Sequence, residues 1–315
     1  MTPEREYVLV RVAKLYYDLE RTQGEIADSQ GLTRWQVGRL LREARELGIV
    51  DIAVTALSPR RPAVETKLQT RFQLLEAVVV PTEIDDDAIV RHSISRAAAH
   101  YLSSLEPRPV SIGVSWGRTM ASVARLVAPN WNIGAEVVLL NGFTSRYGVT
   151  SPVSNVAERL ADKAPGTATL LPVPAILGNE NTRRALEADP MVYEVLRVAE
   201  ETPVACFGMG ELSKNSVLYG SGYLNDDDIE RLGKRGAVGD ILGRFIDANG
   251  RIADEELDAR TVGLELPLLK EKRLSIGVAG GRAKRKVVKT ALLAGYVNVL
   301  ITDEATANYL LEESG

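Results

Sequence analysis

Seven short runs of mostly Val, Ile, Leu and Ala constrain this chain more than any other feature. They fall at 77–80, 110–114, 136–140, 168–173, 204–207, 274–279 and 297–301. Most lack polar alternation, so a strand built from one is buried on both faces. Helical periodicity fills the intervals, at 88–104, 117–127, 153–164, 190–200, 284–294 and 303–312. Doubly buried strands that alternate with helices point to a mostly parallel sheet with helices against both sides. The expected class of this region is α/β, doubly wound. Such sheets bind ligands beyond the carboxyl ends of their strands. The loops after the runs are therefore where a site belongs.

The amino-terminal residues obey another pattern. Val8, Val12, Leu15, Tyr16 and Leu19 recur at helical spacing. Glu25 follows Thr22 by three residues, and Gln36 follows Thr33 by three, so each pair fits a capping box. Asp28-Ser29-Gln30-Gly31 supplies a turn between two short helices. On a helix over 34–47, Val37, Leu40, Leu41, Ala44 and Leu47 share the core side. The opposite side carries Trp35, Gly38, Arg39 and Arg42, flanked by Arg34 and Arg45.

This is a helix-turn-helix pattern. A major groove admits one helix, and arginine suits both guanine edges and phosphates. Gly38 is costly inside a helix, a cost that close approach to a DNA backbone would explain. The expected DNA-contact set is Thr22, Gln23, Thr33, Arg34, Trp35, Gln36, Gly38, Arg39 and Arg42. The same residues also fit a plain helical hairpin with a solvated face. In that reading Arg39–Glu43 and Arg42–Glu46 are i,i+4 pairs, Gln36 only caps, and Trp35 packs on a neighbouring helix. A short strand over 49–54 is expected to close the module. Ser58-Pro59-Arg60-Arg61-Pro62 has two prolines and no large apolar side chain, as a linker would. The expected division is an all-α DNA-binding domain at 1–57, a linker at 58–62, and an effector-binding and oligomerisation domain at 63–315.

Charge narrows the partners. Residues 1–62 hold 10 Lys+Arg against 9 Asp+Glu, and the remainder holds 28 against 33. One copy of so weakly basic a module would bind DNA weakly. The acidic remainder does not suit nucleic acid, nor does the chain have the broad basic surface of an architectural DNA protein. Cys206, the only cysteine, sits in the apolar run VACFG and reads as a small buried hydrophobe. One cysteine allows no intrachain disulfide, which fits a reducing cytoplasm. No signal peptide opens the sequence and no apolar stretch is of membrane-spanning length, so a cytoplasmic protein without a membrane partner is expected. His92 and His100 are the only histidines, and no metal-ligand spacing occurs. Neither a metal nor a cofactor is expected.

Five loops form the candidate ligand site. They are 113–119 (GVSWGRT), 141–144 (NGFT), 208–211 (GMGE), 236–240 (GAVGD) and 280–284 (GGRAK). Glycine lets backbone amides close on an anion, a helix start adds partial positive charge, and Arg118 or Lys284 adds a full one. Ser115, Thr119, Asn141 and Asp240 can exchange hydrogen bonds with hydroxyls. The combination suits a small polyhydroxy ligand, free or phosphorylated. Taken singly, each loop also fits a tight strand-to-helix turn with no ligand.

These blocks resemble the SorC family of sugar-responsive transcriptional regulators. The resemblance covers nearly the whole chain. It rests on LTRWQVGRLLREARELGIV at 32–50, IGVSWGRT at 112–119, LLNGF at 139–143, FGMGEL at 207–212, GAVGDILGRFID at 236–247 and VAGGRAKRKVVKTALLAGYVNVLITDEATANYLL at 278–311. It implies an effector domain akin to sugar-phosphate isomerases and glucosamine-phosphate deaminases. It also implies a sugar, polyol or sugar-phosphate effector and tetramers on double-stranded operator DNA; reading a duplex with paired helices itself requires a dimer or tetramer. The effector-contact set is Gly113, Ser115, Trp116, Gly117, Arg118, Thr119, Asn141, Gly142, Asp240 and Lys284. Phe143 stands where a second glycine is common, leaving that loop less open to a phosphate. Trp35 and Gly38 occupy variable recognition-helix positions, so no operator sequence carries over.

The expected function is a DNA-binding regulator, a repressor by default, controlled by that effector. The alternative is a sugar-phosphate isomerase or deaminase with an accessory helical domain. Sugar isomerisation needs a positioned general base. In the deaminases an Asp-Gly-His element follows the glycine turn matching 208–210. Here Glu211-Leu212-Ser213-Lys214 follows, although Asp240 and Glu211 remain possible bases.

Overall fold

The computed structural model describes residues 2–51, 60–82, 84, 86–143 and 156–312. The chain divides into two compact units, Met1–Leu57 and Ser58–Gly315.

The first unit holds three helices, α1 (Pro3–Tyr17), α2 (Gln23–Gln30) and α3 (Arg34–Glu46). Both capping boxes form. Glu25 N–H donates to Thr22 Oγ1 at 3.3 Å and Thr22 N–H to Glu25 Oε2 at 2.8 Å. Gln36 N–H donates to Thr33 Oγ1 at 3.3 Å and Thr33 N–H to Gln36 Oε1 at 2.8 Å. Gly31 ends α2 with φ 65°, a left-handed cap that glycine adopts without strain. Leu9, Val12, Ile26, Ala27, Val37, Leu40, Leu41 and Ala44 form one core. Leu47 departs from the expected stripe. It is the C-cap of α3 and 51% exposed, because the helix stops before its side chain returns to the core side. The strand expected at 49–54 does not begin there. The amides of Ile49 and Val50 both donate to the Ala44 carbonyl and close the helix end; residues 52–54 lie outside the described residues.

The second unit begins with α4 (Pro62–Phe72). Pro62, read as the end of a linker, instead opens this helix, because its fixed φ suits a first turn and its missing N–H is not needed there. Arg60 and Arg61 also belong to the folded unit. Arg60 Nε donates to Glu65 Oε1 at 3.0 Å and Arg61 N–H to the Val79 carbonyl at 3.0 Å. Residues 58 and 59 lie outside the described residues. The elements then run β1 (Glu76–Val80), α5 (Asp87–Ser103), β2 (Ser111–Val114), α6 (Arg118–Leu126), β3 (Glu136–Leu139), α7 (Val156–Lys163) and β4 (Thr167–Thr169). After these come α8 (Glu180–Glu187), α9 (Pro190–Glu201), β5 (Val204–Gly210), α10 (Val217–Gly220), α11 (Asp226–Lys234), β6 (Ala237–Ile241) and β7 (Arg244–Asp247). The chain ends with α12 (Glu255–Asp258), α13 (Leu266–Leu269), β8 (Leu274–Val278), a 3-10 turn at Arg282–Lys284, α14 (Arg285–Leu293), β9 (Val299–Asp303) and α15 (Glu304–Leu311).

Seven strands lie parallel in the order β1-β9-β8-β5-β2-β3-β4. Successive strand residues serve opposite cores. Val78, Val80 and Cys206 pack on one side of the sheet, and Ala77, Val79, Ala205 and Phe207 on the other. The apolar runs are thus buried on both faces, as a doubly wound sheet requires.

One expectation is corrected. Gly236–Asp240 is not a strand-to-helix loop. Ala237–Ile241 is strand β6, paired antiparallel with β5 on one side and β7 on the other. Leu242 and Gly243 form its two-residue turn at φ 56° and 85°, as tight hairpins demand. The charges of Asp240, Arg244 and Asp247 interrupt the apolar pattern that marked the other strands.

Candidate functional site

The sheet has one switch point. From β2 the chain proceeds outward through β3 and β4, whereas from β5 it proceeds the opposite way through β8 and β9. Adjacent strands with departing connections leave a crevice at their carboxyl ends. A cavity of about 90 Å³ lies there, space for a few ordered waters or one small polar ligand.

The loop after β2 supplies Ser115 to Thr119. Ser115 Oγ accepts from Gly208 N–H at 3.2 Å, tying the ends of β2 and β5 together. Trp116 is buried; its Nε1 donates to the Gly142 carbonyl at 3.0 Å and its ring lies 4.9 Å from that of Phe143. Gly117 precedes α6 with φ 127° and no side chain caps that helix, so the first-turn amides at the cavity wall lack the usual side-chain acceptor. Arg118 is exposed, and its Nη2 donates to the Asn215 carbonyl at 2.6 Å.

Asn141, beyond β3, is 3% exposed, and its Oδ1 is buried without a hydrogen-bond partner. Asp240 reaches the cavity from β6. Its Oδ2 accepts from Gly243 N–H at 3.0 Å. Gly210 is required beside it, because a Cβ there would meet Asp240 Oδ1 at 1.9 Å. Burial pushes the Asp240 carboxyl up to about 6, against the Gly243 N–H and the Lys284 charge, which favour its ionised form. The ammonium of Lys284, half-buried after β8, forms no ion pair or hydrogen bond among the described residues. Burial, then the charge of Arg118, lowers its ammonium below the ordinary range, with Glu211 and Asp240 opposing. Gly281, at the start of the turn carrying Lys284, donates its N–H to buried Asp303 Oδ1 at 2.8 Å.

Eight expected contacts therefore meet in one cavity, namely Ser115, Trp116, Gly117, Arg118, Thr119, Asn141, Asp240 and Lys284. Gly113 and Gly142 do not line it. Gly113 lies within β2, where a Cβ would strike Leu140 Cδ2 at 2.4 Å; at Gly142 it would strike the Val173 carbonyl at 2.6 Å. Both are needed for close packing behind the wall. Ser216, Leu242 and Gly243 also line the cavity and escaped sequence reasoning. Ser216 comes from an irregular connection, and the other two depend on recognising the hairpin. Glu211 lines it too; its glycine-rich loop was the available signal.

The second candidate surface is α3. Trp35 is 71% exposed, so it does not pack on a neighbouring helix. The Arg39 guanidinium lies 5.2 Å from its ring centroid, within cation–π range. Glu43 is engaged by Arg5, whose Nε donates to Glu43 Oε1 at 3.0 Å. Neither Arg39–Glu43 nor Arg42–Glu46 forms an ion pair, and Arg34, Arg39 and Arg42 make none among the described residues. Thr22, Thr33 and the Gln36 carboxamide oxygen serve the caps. A Cβ at Gly38 would lie 3.5 Å from Gln23 Oε1, an ordinary contact. Packing within the module does not account for this glycine.

Residues 61–312 match a sugar-binding domain family. The deoxyribonucleoside regulator of Bacillus subtilis is 34% identical, over 99% of this chain and 100% of its own length. The full-length sorbitol operon regulator SorC of Klebsiella pneumoniae has the same fold at a TM-score of 0.71, with 28% identity over 98% of this chain and 100% of that one. This chain belongs to the SorC family. Another similar protein, the transcriptional regulator LsrR of Escherichia coli K12, is 32% identical over 97% of this chain and 95% of its own length. The SorC-family likeness spans the helical amino-terminal part as well as the α/β part. The protein is thus a transcriptional regulator with a sugar-binding domain. Among the described residues no helix is long and apolar enough to cross a membrane.

Proposed function

We propose that this regulator reads operator DNA with α3 and releases it when a small sugar, polyol or sugar phosphate fills the cavity at the sheet switch point. One observation carries the reading. An uncapped helix start, an unpaired Lys284, buried Asp240 and the unpartnered Asn141 oxygen converge on a single small cavity. Amides and ammonium suit an anion, whereas carboxylate and carboxamide suit hydroxyls. The names of the relatives, a deoxyribonucleoside regulator and a sorbitol operon regulator, support a polyhydroxy ligand.

The site binds rather than turns over. Neither Asp nor His follows the β5 glycine turn, and no histidine lies beyond residue 100. On DNA the protein acts as a cytoplasmic homo-oligomer, a dimer or tetramer, because paired recognition helices must sit about one duplex turn, ~34 Å, apart. The ligand must bind the DNA-competent and DNA-incompetent arrangements with different affinity. Coupling of ~1–3 kcal/mol shifts operator affinity about 5- to 150-fold.

A thermal-shift screen of the full chain against sugars, polyols and their phosphates tests this. Hits go forward to fluorescence anisotropy with promoter fragments and to turnover assays. The expected hit raises the melting temperature and weakens operator binding, with no product formed. A hit that is converted to product would make the enzyme reading correct. Operator affinity indifferent to every candidate would end the regulatory one.

A further inference from the structure

The sugar-phosphate form of this reading can be taken one step further. The positive features of the cavity lie together. They are the bare first turn of α6, a nine-residue helix, Lys284 without a partner, and Arg118 with one amino group already on the Asn215 carbonyl. The remaining wall offers no cation to a second anion. Asn141 presents a buried oxygen that has no donor, a need that a hydroxyl meets and an ionised phosphate oxygen does not. Asp240 and Glu211 place carboxylates on the same cavity. At the β3 loop, the Phe143 ring lies against Trp116, and the Gly142 carbonyl is occupied by the Trp116 indole N–H.

We propose that this cavity selects a small sugar carrying one phosphate over the same sugar carrying two. The inference rests on the sugar-phosphate reading above. One phosphate brings about −1.5 to −2 charge at neutral pH. Lys284, the helix end (about +0.5) and a redirected Arg118 balance that. A second phosphate doubles the anion, yet Arg118 and Lys284 are the only cations lining the cavity among the described residues. It would therefore have to sit beside Asp240 or Glu211, where like charges repel. In the favoured pose the phosphate lies on the α6 amides and Lys284, and a hydroxyl donates to Asn141.

Titration calorimetry on the full chain tests this with matched probes. These are ribose 5-phosphate with ribose 1,5-bisphosphate, fructose 6-phosphate with fructose 1,6-bisphosphate, the two free sugars, and inorganic phosphate. In the pair that fits, the monophosphate should bind at least about tenfold tighter than its bisphosphate and tighter than the free sugar, since Coulomb repulsion at close range exceeds that ratio. A bisphosphate that binds as tightly or more tightly overturns the inference and leaves the sugar-phosphate reading standing. Binding by free sugars alone, or by none of the probes, removes that reading and the inference with it. Asp240→Asn and Glu211→Gln, checked for folding by melting temperature, should each narrow the monophosphate-to-bisphosphate ratio. An unchanged ratio in both would show that these carboxylates do not set the selection.

Discussion

Asp240 is kept at the expense of stability, and the cost can be measured. The residue is 9% exposed, and burial pushes its carboxyl up to about 6, where an ordinary aspartate ionises near 3.8. The folded value is the higher one, so the native state binds the proton more tightly. The stability this provides is complete below about pH 4 and is lost as pH rises through about 6. At ~1.4 kcal/mol per tenfold, ionised Asp240 costs the fold about 3 kcal/mol above pH 7. Asp240→Asn removes the charge and keeps an acceptor for the Gly243 N–H. It also leaves Lys284 without a neighbouring anion, which offsets part of the gain. A net stabilisation of about 1–3 kcal/mol at pH 7.5 is expected. The unit Ser58–Gly315 unfolds with an entropy of roughly 0.5 kcal/mol/K, so its melting temperature should rise by about 2–6 °C. Scanning calorimetry of both proteins from about pH 4 to about pH 8 should give coincident values at the acid end and separate them toward neutrality. If wild type is the more stable protein at pH 7.5, or if the difference is flat with pH, the buried-charge argument is wrong.

Four further outcomes are expected. Gly38→Ala should strengthen α3 by up to ~1 kcal/mol, since its methyl meets only an ordinary contact, yet lower operator affinity at least about tenfold; unchanged affinity in anisotropy titrations would exclude close backbone approach at this position. Arg39→Ala should weaken operator binding by about 1–3 kcal/mol if it reads a guanine and leave the calorimetric effector affinity intact, and full retention of DNA binding would displace Arg39 from the interface. Thr33→Ala removes the cap of α3 and should cost the amino-terminal unit ~1 kcal/mol in urea unfolding. Asp303→Ala strips Gly281 N–H of its shorter bond, leaving the one to Thr306 Oγ1 at 3.1 Å, and strips Thr306 N–H of its acceptor; because the turn carrying Lys284 loses part of its anchor, phosphate-bearing ligands should lose affinity more than free sugars, and an equal loss for both would argue against this positioning role.

Much of the fold was legible because its signals are local. Both capping boxes and the left-handed Gly31 lie within four residues of the helices they bound, and they form as the sequence indicates. Cys206 sits in an apolar strand, fully buried. The β6–β7 hairpin was not legible. Asp240 reads as a loop residue, yet it lies within β6, and both it and Arg244 are buried. Arg244 is 2% exposed, with Nη1 on Asp258 Oδ1 at 2.6 Å and Nη2 on the Gly263 carbonyl at 3.1 Å. Its partners lie 14 to 20 residues away, and no helical or strand period reaches that far. Gly113 and Gly142 misled for a related reason, because sequence marks a backbone that must come close to something without saying whether that is a ligand or a neighbouring strand.

The amino-acid order by itself determined the strands of the parallel sheet and the helices between them, which helix face is apolar and which carries arginine, and that doubly buried strands must form a layered parallel sheet. These follow from steric preference and burial over spans of a few residues. Only the tertiary structure decided that β2 and β5 are neighbours with connections leaving in opposite directions. That adjacency brings Ser115, Asn141, Asp240 and Lys284, spread over 170 positions of the chain, around one small cavity. Strand order is a property of long-range packing, and two residues far apart in sequence share a site only once the sheet between them has been assembled.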